Sequence, residues 1–114
     1  MDMQAEKDAA KGRERRVNVR VPLVQVVQLQ HPAGPQLASA RDLSMSGIGV
    51  LVDEPPSRGT LVNVALDLGP EGRLDVLSVV VRVGPTVGLR FTDLTPSESL
   101  TLQHFLARRR AWLS

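Results

Sequence analysis

The stretch LVNVALDL, residues 61–68, decides the fold class because its apolar side chains recur at every second position. On an extended backbone this pattern places the apolar side chains on one face and the polar ones on the other. The apolar face is formed by Val62, Val64, Leu66 and Leu68, opposite Asn63 and Asp67. The alternation predicts a β-strand that covers a core with one of its two faces.

Five further segments carry strand features and are separated by turn signals. In QHPAGPQ (30–36) the Pro and Gly content predicts a hairpin loop, and the two prolines of DEPPSRG (53–59) forbid further ladder pairing. Six short strands at this spacing predict a mainly β fold, a small closed antiparallel barrel without exposed edges. The five segments are LVQVVQL (23–29), LASARDLS (37–44), GIGVLV (47–52), LDVLSVVVRV (74–83) and VGLRF (87–91).

Two of these strands assign side chains to faces. The alternation of VGLRF places Arg90 outward and three apolar residues inward, namely Val87, Leu89 and Phe91. In LDVLSVVVRV one side of the strand collects Leu77, Val79, Val81 and Val83.

The segment TPSE (95–98) predicts the start of a C-terminal helix. Thr95 fits the N-cap, a proline follows at the first helical position, and Glu98 comes three residues after the cap, which together form a capping box. The arginines at 108–110 fall in the last turn, where cations complement the helix dipole, so a structural role is favoured over a binding patch. Helical spacing predicts a face packed on the barrel, made of Leu102, Phe105, Leu106, Arg109 and Leu113.

Composition indicates one soluble domain of 114 residues, with 42% hydrophobic and 23% charged side chains. Cysteine is absent, which excludes disulfides and thiolate metal sites. No apolar run is long enough to span a membrane, and residues 1–12 are polar, without the hydrophobic core of a secretory signal. We therefore expect a cytoplasmic protein whose residues 1–12 form a flexible tail.

Catalytic and metal-binding patterns are missing. The two histidines, His31 and His104, have no partner at metal-ligand spacing, and no nucleophile elbow, Walker loop or dinucleotide fingerprint occurs. Aromatic residues amount to 3%, which disfavours a stacking platform for single-stranded nucleic acid. The basic ends of the chain leave polyanion binding as a minor alternative. An enzyme, a metal and a cofactor are not expected.

One polar cluster lies in RVNVRVP (16–22), where valines alternate with polar residues ahead of a proline. The alternation favours an extended segment in which Arg16 and Arg20 point the same way, roughly 13 Å apart at about 3.3 Å per residue. Each guanidinium offers a planar fork that can bind a phosphate or the O6/N7 edge of guanine bidentately. This span suits a ligand with several anionic and purine groups.

A second cluster, DLSMSG (42–47), falls where one strand ends and the next begins. Asp42 can accept hydrogen bonds from the N1–H and N2–H₂ groups of guanine, and Ser44 can face the same side. Gly47 permits a positive φ or a close backbone approach to a ligand. An Asx-turn between two strands is the alternative interpretation. Together the two clusters are complementary to a guanine nucleotide.

The two clusters resemble the motifs of the PilZ domain family. Arg-x-x-x-Arg (Arg16 and Arg20) stands ahead of a Val-Pro pair, and Asp-x-Ser-x-x-Gly begins 22 residues later at Asp42. The later GLRFTDLTPSES resembles the last strand of the family running into its C-terminal helix. The resemblance covers roughly residues 13–110. It implies a six-stranded barrel, with a C-terminal α-helix packed on it, that binds the bacterial second messenger cyclic di-GMP without catalysis.

The resemblance also implies the site. Arg16 and Arg20 would contact phosphate and guanine, and Asp42 and Ser44 guanine and phosphate, while Gly47 would shape the turn. An arginine directly before the first motif arginine is associated in the family with two intercalated cyclic di-GMP molecules per domain. Arg15 fills that position here.

The expected organisation follows from these motifs. A tail (1–12) precedes a PilZ-like domain (13–114), which is divided into an arginine segment (13–22), a barrel (23–92) and a helix (95–112). With no output domain attached, such a chain is expected to act as an adaptor: ligand binding would fold the N-terminal segment over the barrel and signal to an unknown partner protein. The alternative is a PilZ-like interaction module that does not bind nucleotide.

Overall fold

Six antiparallel strands close into a barrel in the computed structural model, which describes residues 19–113. The order around the barrel is β1-β2-β3-β6-β5-β4, so β3 and β6 are neighbours although they are distant in sequence. The predicted six-stranded barrel is confirmed. The strands are β1 (Val21–His31), β2 (Gly34–Leu43), β3 (Gly47–Leu51), β4 (Leu61–Asp67), β5 (Arg73–Arg82) and β6 (Val87–Phe91).

The core fills the barrel with the inward side chains of all six strands. The predicted face of β4 is confirmed, because Val62, Val64, Leu66 and the following Leu68 have no exposed surface. The inward residues predicted for β6 are buried as well, and Arg90 points outward. Side chains of this size each contribute about 1.5–3 kcal/mol on full burial, so the alternation selects this register over any one-residue slip.

In strand β5 the pattern of apolar residues does not identify which face lies toward the core. The side that collects Leu77, Val79, Val81 and Val83 is the outer one, and the core side is formed by Leu74, Val76, Ser78 and Val80. Both faces of this strand carry valine or leucine, so periodicity alone does not choose between them. The pairing with β6 also shifts register between Val80 and Arg82.

The connections match the turn signals. Strands β1 and β2 form a hairpin in which His31 pairs with Gly34, and that glycine has a φ of 117°. Such a φ is accessible to glycine at little cost. Strand β3 ends at Leu51, ahead of the two prolines at 55 and 56.

The α-helix of the described residues, α1 (Pro96–Leu113), packs on the barrel. The predicted capping box is confirmed: the Thr95 N–H donates to Glu98 Oε1 at 2.9 Å, and the Glu98 N–H donates to Thr95 Oγ1 at 3.1 Å. The predicted helix face is buried at Leu102, Phe105 and Leu106 and partly buried at Arg109, whereas the Leu113 side chain lies outside the described part of the chain.

The helix also contacts a short 3-10 turn, Gly69–Glu71, that follows β4. Arg108 Nε lies 3.1 Å from Glu71 Oε1, and its guanidinium carbon lies 5.9 Å from the centre of the Phe105 ring. This arginine therefore ties the helix to the turn, which is a different structural role from the predicted complement to the helix dipole, since Arg110 is the basic residue of the last helical turn. Within residues 19–113 no helix is long and apolar enough to cross a membrane.

Candidate functional site

The two polar clusters meet at one ion pair. Arg20 Nη1 donates to Asp42 Oδ1 at 2.9 Å, although the two residues are 22 positions apart. The side chains remain 41% and 35% exposed, so both keep surface for a ligand. Exposed pairs of this kind contribute about 0–1 kcal/mol, so a ligand can rearrange this pair at small cost.

The geometry of the first two strands brings the pair together. Pro22 pairs with Asp42 across β1 and β2, which places Arg20 just outside the first strand and beside the carboxylate. The pairing of β2 with β3 shifts register between Ala40 and Asp42. Irregularities of this type re-aim side chains beside functional sites. Here the shift leaves Arg41 and Asp42 outside the core, between the buried Ala40 and Leu43.

Gly49 and Gly88 form a shallow trough between Asp42 on β2 and Arg82 on β5. Asp42 pairs with Gly49, Gly49 with Gly88, and Gly88 with Arg82, so the four residues form one row across β2, β3, β6 and β5. A Cβ on Gly49 would lie 2.9 Å from Asp42 Oδ1, and one on Gly88 would lie 3.3 Å from the Arg82 Cβ. The charged side chains at the two ends of the row thus lean over the glycines.

A cleft of about 180 Å³ lies beside this row and is basic. Three arginines line it, namely Arg20, Arg82 and Arg90, together with Ser46 and Gly47, and no carboxylate of the described residues is part of its lining. Guanidinium groups from three strand ends that converge on one concave surface attract an anion and can bind phosphate bidentately. The cleft is therefore a candidate anion-binding site.

Ser44 has no exposed surface and is hydrogen-bonded to Ser46 and Gly47, which line the cleft. Its hydroxyl accepts from the Ser46 N–H at 3.2 Å, lies 3.1 Å from Ser46 Oγ and donates to the Gly47 carbonyl at 3.4 Å. The Ser44 N–H donates to the same carbonyl at 2.9 Å. In this conformation the Ser44 side chain stabilises the turn between β2 and β3 and is not part of the cleft lining.

Position 47 accommodates only glycine, because the neighbouring strand β6 passes too close for a Cβ. Gly47 pairs with Arg90, and a Cβ at this position would collide with the Leu89 carbonyl oxygen on β6. Its φ is not positive, since the positive values among the described residues belong to Gly34, Gly59, Gly69 and Gly72. The close approach that Gly47 permits is thus made to the backbone of β6, whereas the sequence predicted an approach to a ligand.

The first motif arginine and its predecessor, Arg16 and Arg15, lie outside the described residues, as does the tail 1–12. Conversely, Arg82 and Arg90 line the cleft but were not predicted as site residues. The outward alternation of Arg90 was visible in the sequence. The sequence did not show that Arg82 and Arg90 line the same cleft, because this depends on the pairing of β5 with β6 and on the register shift before Arg82.

The fold and the cleft together define a class: a small closed barrel with a candidate anion-binding cleft near the ends of its strands. A family model, described as the PilZ domain, matches residues 14–108. The chain belongs to the PilZ domain family. No curated protein sequence matches it.

Solved structures share this fold. The PilZ domain of YcgR from Escherichia coli, with c-di-GMP, has a TM-score of 0.75 and 16% identity over 87% of this chain and 94% of that one. The PilZ domain of CeSA from a cellulose-synthesizing bacterium has a TM-score of 0.61 and 18% identity over 83% and 98%. PlzA from Borreliella burgdorferi, in complex with c-di-GMP, has a TM-score of 0.61 and 10% identity over 89% and 45%. The likeness concerns the fold.

Proposed function

We propose that this chain is a non-catalytic receptor that binds cyclic di-GMP at the cleft beside Arg20 and Asp42. The observation that carries the proposal is the 2.9 Å ion pair between these residues, because it joins the two family motifs and one of its partners, Arg20, also lines the basic cleft. Two similar solved structures, the PilZ domain of YcgR and the PlzA protein, contain c-di-GMP. A guanine dinucleotide carries both the phosphates and the purine edges that such a site can bind.

Each charged group has a distinct task in this proposal. Arg20, with Arg16, binds phosphate and the O6/N7 edge of a guanine, and Asp42 accepts from the N1–H and N2–H₂ groups of a guanine. Arg82 and Arg90 supply further positive charge from the opposite wall of the cleft. Ligand binding replaces the exposed Arg20–Asp42 contact with contacts of both residues to the nucleotide.

Ser44 and Gly47 act mainly through the backbone. The buried Ser44 hydroxyl holds the β2–β3 turn, and Gly47 lets β3 approach β6 closely enough to bring Arg90 beside the turn. A direct contact of Ser44 with the nucleotide would require the turn to open. Arg15 supplies the additional cation for a second, intercalated cyclic di-GMP molecule.

The signalling step uses the segment 13–22, which carries Arg15, Arg16 and Arg20. Nucleotide binding draws the part of this segment that precedes β1 onto the barrel, and a partner protein binds the altered surface. The ligand drives the change because it binds the closed arrangement more tightly than the open one. Amide-exchange protection of residues 8–22 should rise on saturation with cyclic di-GMP, and unchanged protection would exclude this step.

Isothermal titration calorimetry with cyclic di-GMP tests the receptor function and also gives the stoichiometry. Arg20→Ala should weaken binding by about 10- to 100-fold, because a charge-assisted bidentate contact contributes about 1.5–3 kcal/mol. Arg109→Ala is the control, since this helix arginine lies outside the cleft lining. GTP and cyclic di-AMP should bind much more weakly than cyclic di-GMP. No heat and no thermal shift with the parent protein would favour an interaction module without nucleotide binding.

A further inference from the structure

A second cavity, of about 610 Å³, lies where β1 and β4 separate, on the side of β1 away from β2. Its walls are Leu23–Val26 of β1 and Asp67–Pro70, the residues at and after the end of β4. Its floor is formed by Phe105, Arg108 and Arg109 of the helix. The volume falls within the range of about 300–1,000 Å³ that is typical of ligand sites.

The cavity exists because the barrel seam is incompletely paired. Strand β1 pairs with β4 through Gln28–Gln30 alone among the described residues, although β1 begins at Val21. Nearer the start of β1, the Gln25 side chain takes the place of backbone hydrogen bonds to β4. Its Nε2 donates to the Asp67 carbonyl at 3.0 Å, and its Oε1 accepts from the Asp67 N–H at 3.3 Å. An incompletely paired edge of β1 therefore faces the cavity. Such edges accept additional strands.

Two valines extend the apolar wall onto the outer surface. Val24 is 85% exposed and Val26 is 66% exposed, and both line the cavity beside the buried Leu23 and Phe105. Successive outward positions on one strand present side chains about 7 Å apart, which is the repeat of an extended peptide running alongside. The surface thus has the spacing that strand addition uses.

The floor of the cavity contains an unsatisfied donor. Arg109 Nε is buried without a hydrogen-bond partner among the described residues, whereas the Nε of the neighbouring Arg108 is paired with Glu71. A buried N–H of a charged group lowers stability unless an acceptor is provided. Because this atom has almost no accessible surface, a ligand carboxylate satisfies it only when the Arg109 side chain turns into the cavity.

We propose that this seam binds an extended peptide segment of a partner protein, with alternate apolar side chains on Val24 and Val26 and one carboxylate on Arg109. Three independent features support this occupant: the incompletely paired edge of β1, the exposed valines and the orphan Arg109 Nε. The site is separate from the cleft of Arg20 and Asp42, which lies on the β2 side of the same strand.

Selection of a random dodecapeptide phage library on the purified full chain tests the proposal. Enriched peptides should contain an acidic residue flanked by alternating apolar residues. An enriched peptide and its counterpart with the acidic residue amidated are then synthesised and compared by fluorescence anisotropy. The acidic peptide should bind the unaltered protein at least tenfold more tightly than the amide, a comparison that does not depend on the folding of any variant.

Variants locate the site. Arg109→Ala and Val24→Asp should each weaken the acidic peptide at least tenfold, whereas Arg58→Ala, an exposed residue outside the cavity lining, should leave its affinity unchanged. Absence of enriched peptides, equal affinity for acid and amide, or insensitivity to both substitutions would overturn the proposal. Sedimentation showing a dimer that Val24→Asp dissociates would also overturn it, because a second copy of the chain would then occupy the seam.

Discussion

The carboxylate of Asp42 lies in the space that a side chain at Gly49 would need, since a Cβ there would be 2.9 Å from Asp42 Oδ1 and 3.2 Å from Thr86 Cγ2. The glycine thus positions the acidic group of the proposed nucleotide site. The Asp42 carboxylate ends a side chain that can rotate away, so it can yield without disturbing the core. The consequence of filling this space should appear in ligand binding more than in stability.

We therefore expect Gly49→Ala to weaken cyclic di-GMP binding by about tenfold, equivalent to about 1.4 kcal/mol, because the methyl group displaces Asp42 from Arg20. Calorimetry gives the affinity and thermal unfolding gives the stability. Gly84→Ala is the matched control, because a Cβ there would have its nearest contact at 3.9 Å, from the Thr86 carbonyl. Equal affinity of the two variants would contradict the positioning role of Gly49.

Gly47→Ala should act on stability instead. The added Cβ would collide with the Leu89 carbonyl oxygen, a backbone atom held in the ladder between β3 and β6. Separating two strands to relieve such a clash is expected to lower the free energy of unfolding by about 1–3 kcal/mol. Urea denaturation of this variant beside Gly84→Ala measures the difference. A midpoint equal to that of the control would show that β3 and β6 can part without cost.

The capping box offers a stability prediction that is independent of the nucleotide site. Thr95→Ala removes the side chain that accepts from the Glu98 N–H, which should lower the free energy of unfolding by about 0.5–2 kcal/mol. Cyclic di-GMP affinity should not change, because the cap is outside the cleft lining. Chemical denaturation and calorimetry on the same preparation measure both quantities. A variant that loses nucleotide affinity at full stability would link the helix start to the cleft.

Local chemistry explains why much of this fold was predictable from the sequence. The capping box involves residues three positions apart, and the faces of β4 and β6 follow from strict alternation of apolar and polar side chains. Chemical complementarity predicted one shared ligand for the two clusters, whereas the ion pair between Arg20 and Asp42 was not itself predicted. For the capping box and the two strand faces, the deciding interactions lie within one element or at its end.

The features that the sequence did not reveal depend on the pairing of strands that are distant along the chain. The core face of β5 was ambiguous because both faces are apolar, and Arg82 reaches the cleft only through a register shift against β6. Gly49 and Gly88 become a trough only because β3 and β6 are neighbours in the closed barrel. The open seam at Gln25 likewise depends on where the pairing of β1 with β4 stops.

Arg82 and Arg90 provide the sharpest test of the cleft, because no part of the motif pattern includes them. Both line it together with Arg20, and the Arg82 guanidinium carbon lies 3.6 Å from the position of a Cβ on Gly88. Arg82→Ala and Arg90→Ala should each weaken cyclic di-GMP binding by about tenfold, since each removes a charge-assisted contact. Calorimetry beside Arg58→Ala, which removes an exposed arginine outside the cleft lining, separates this effect from a general loss of positive charge. If all three variants bind like the parent, the nucleotide is held by the motif residues alone and the opposite wall of the cleft takes no part.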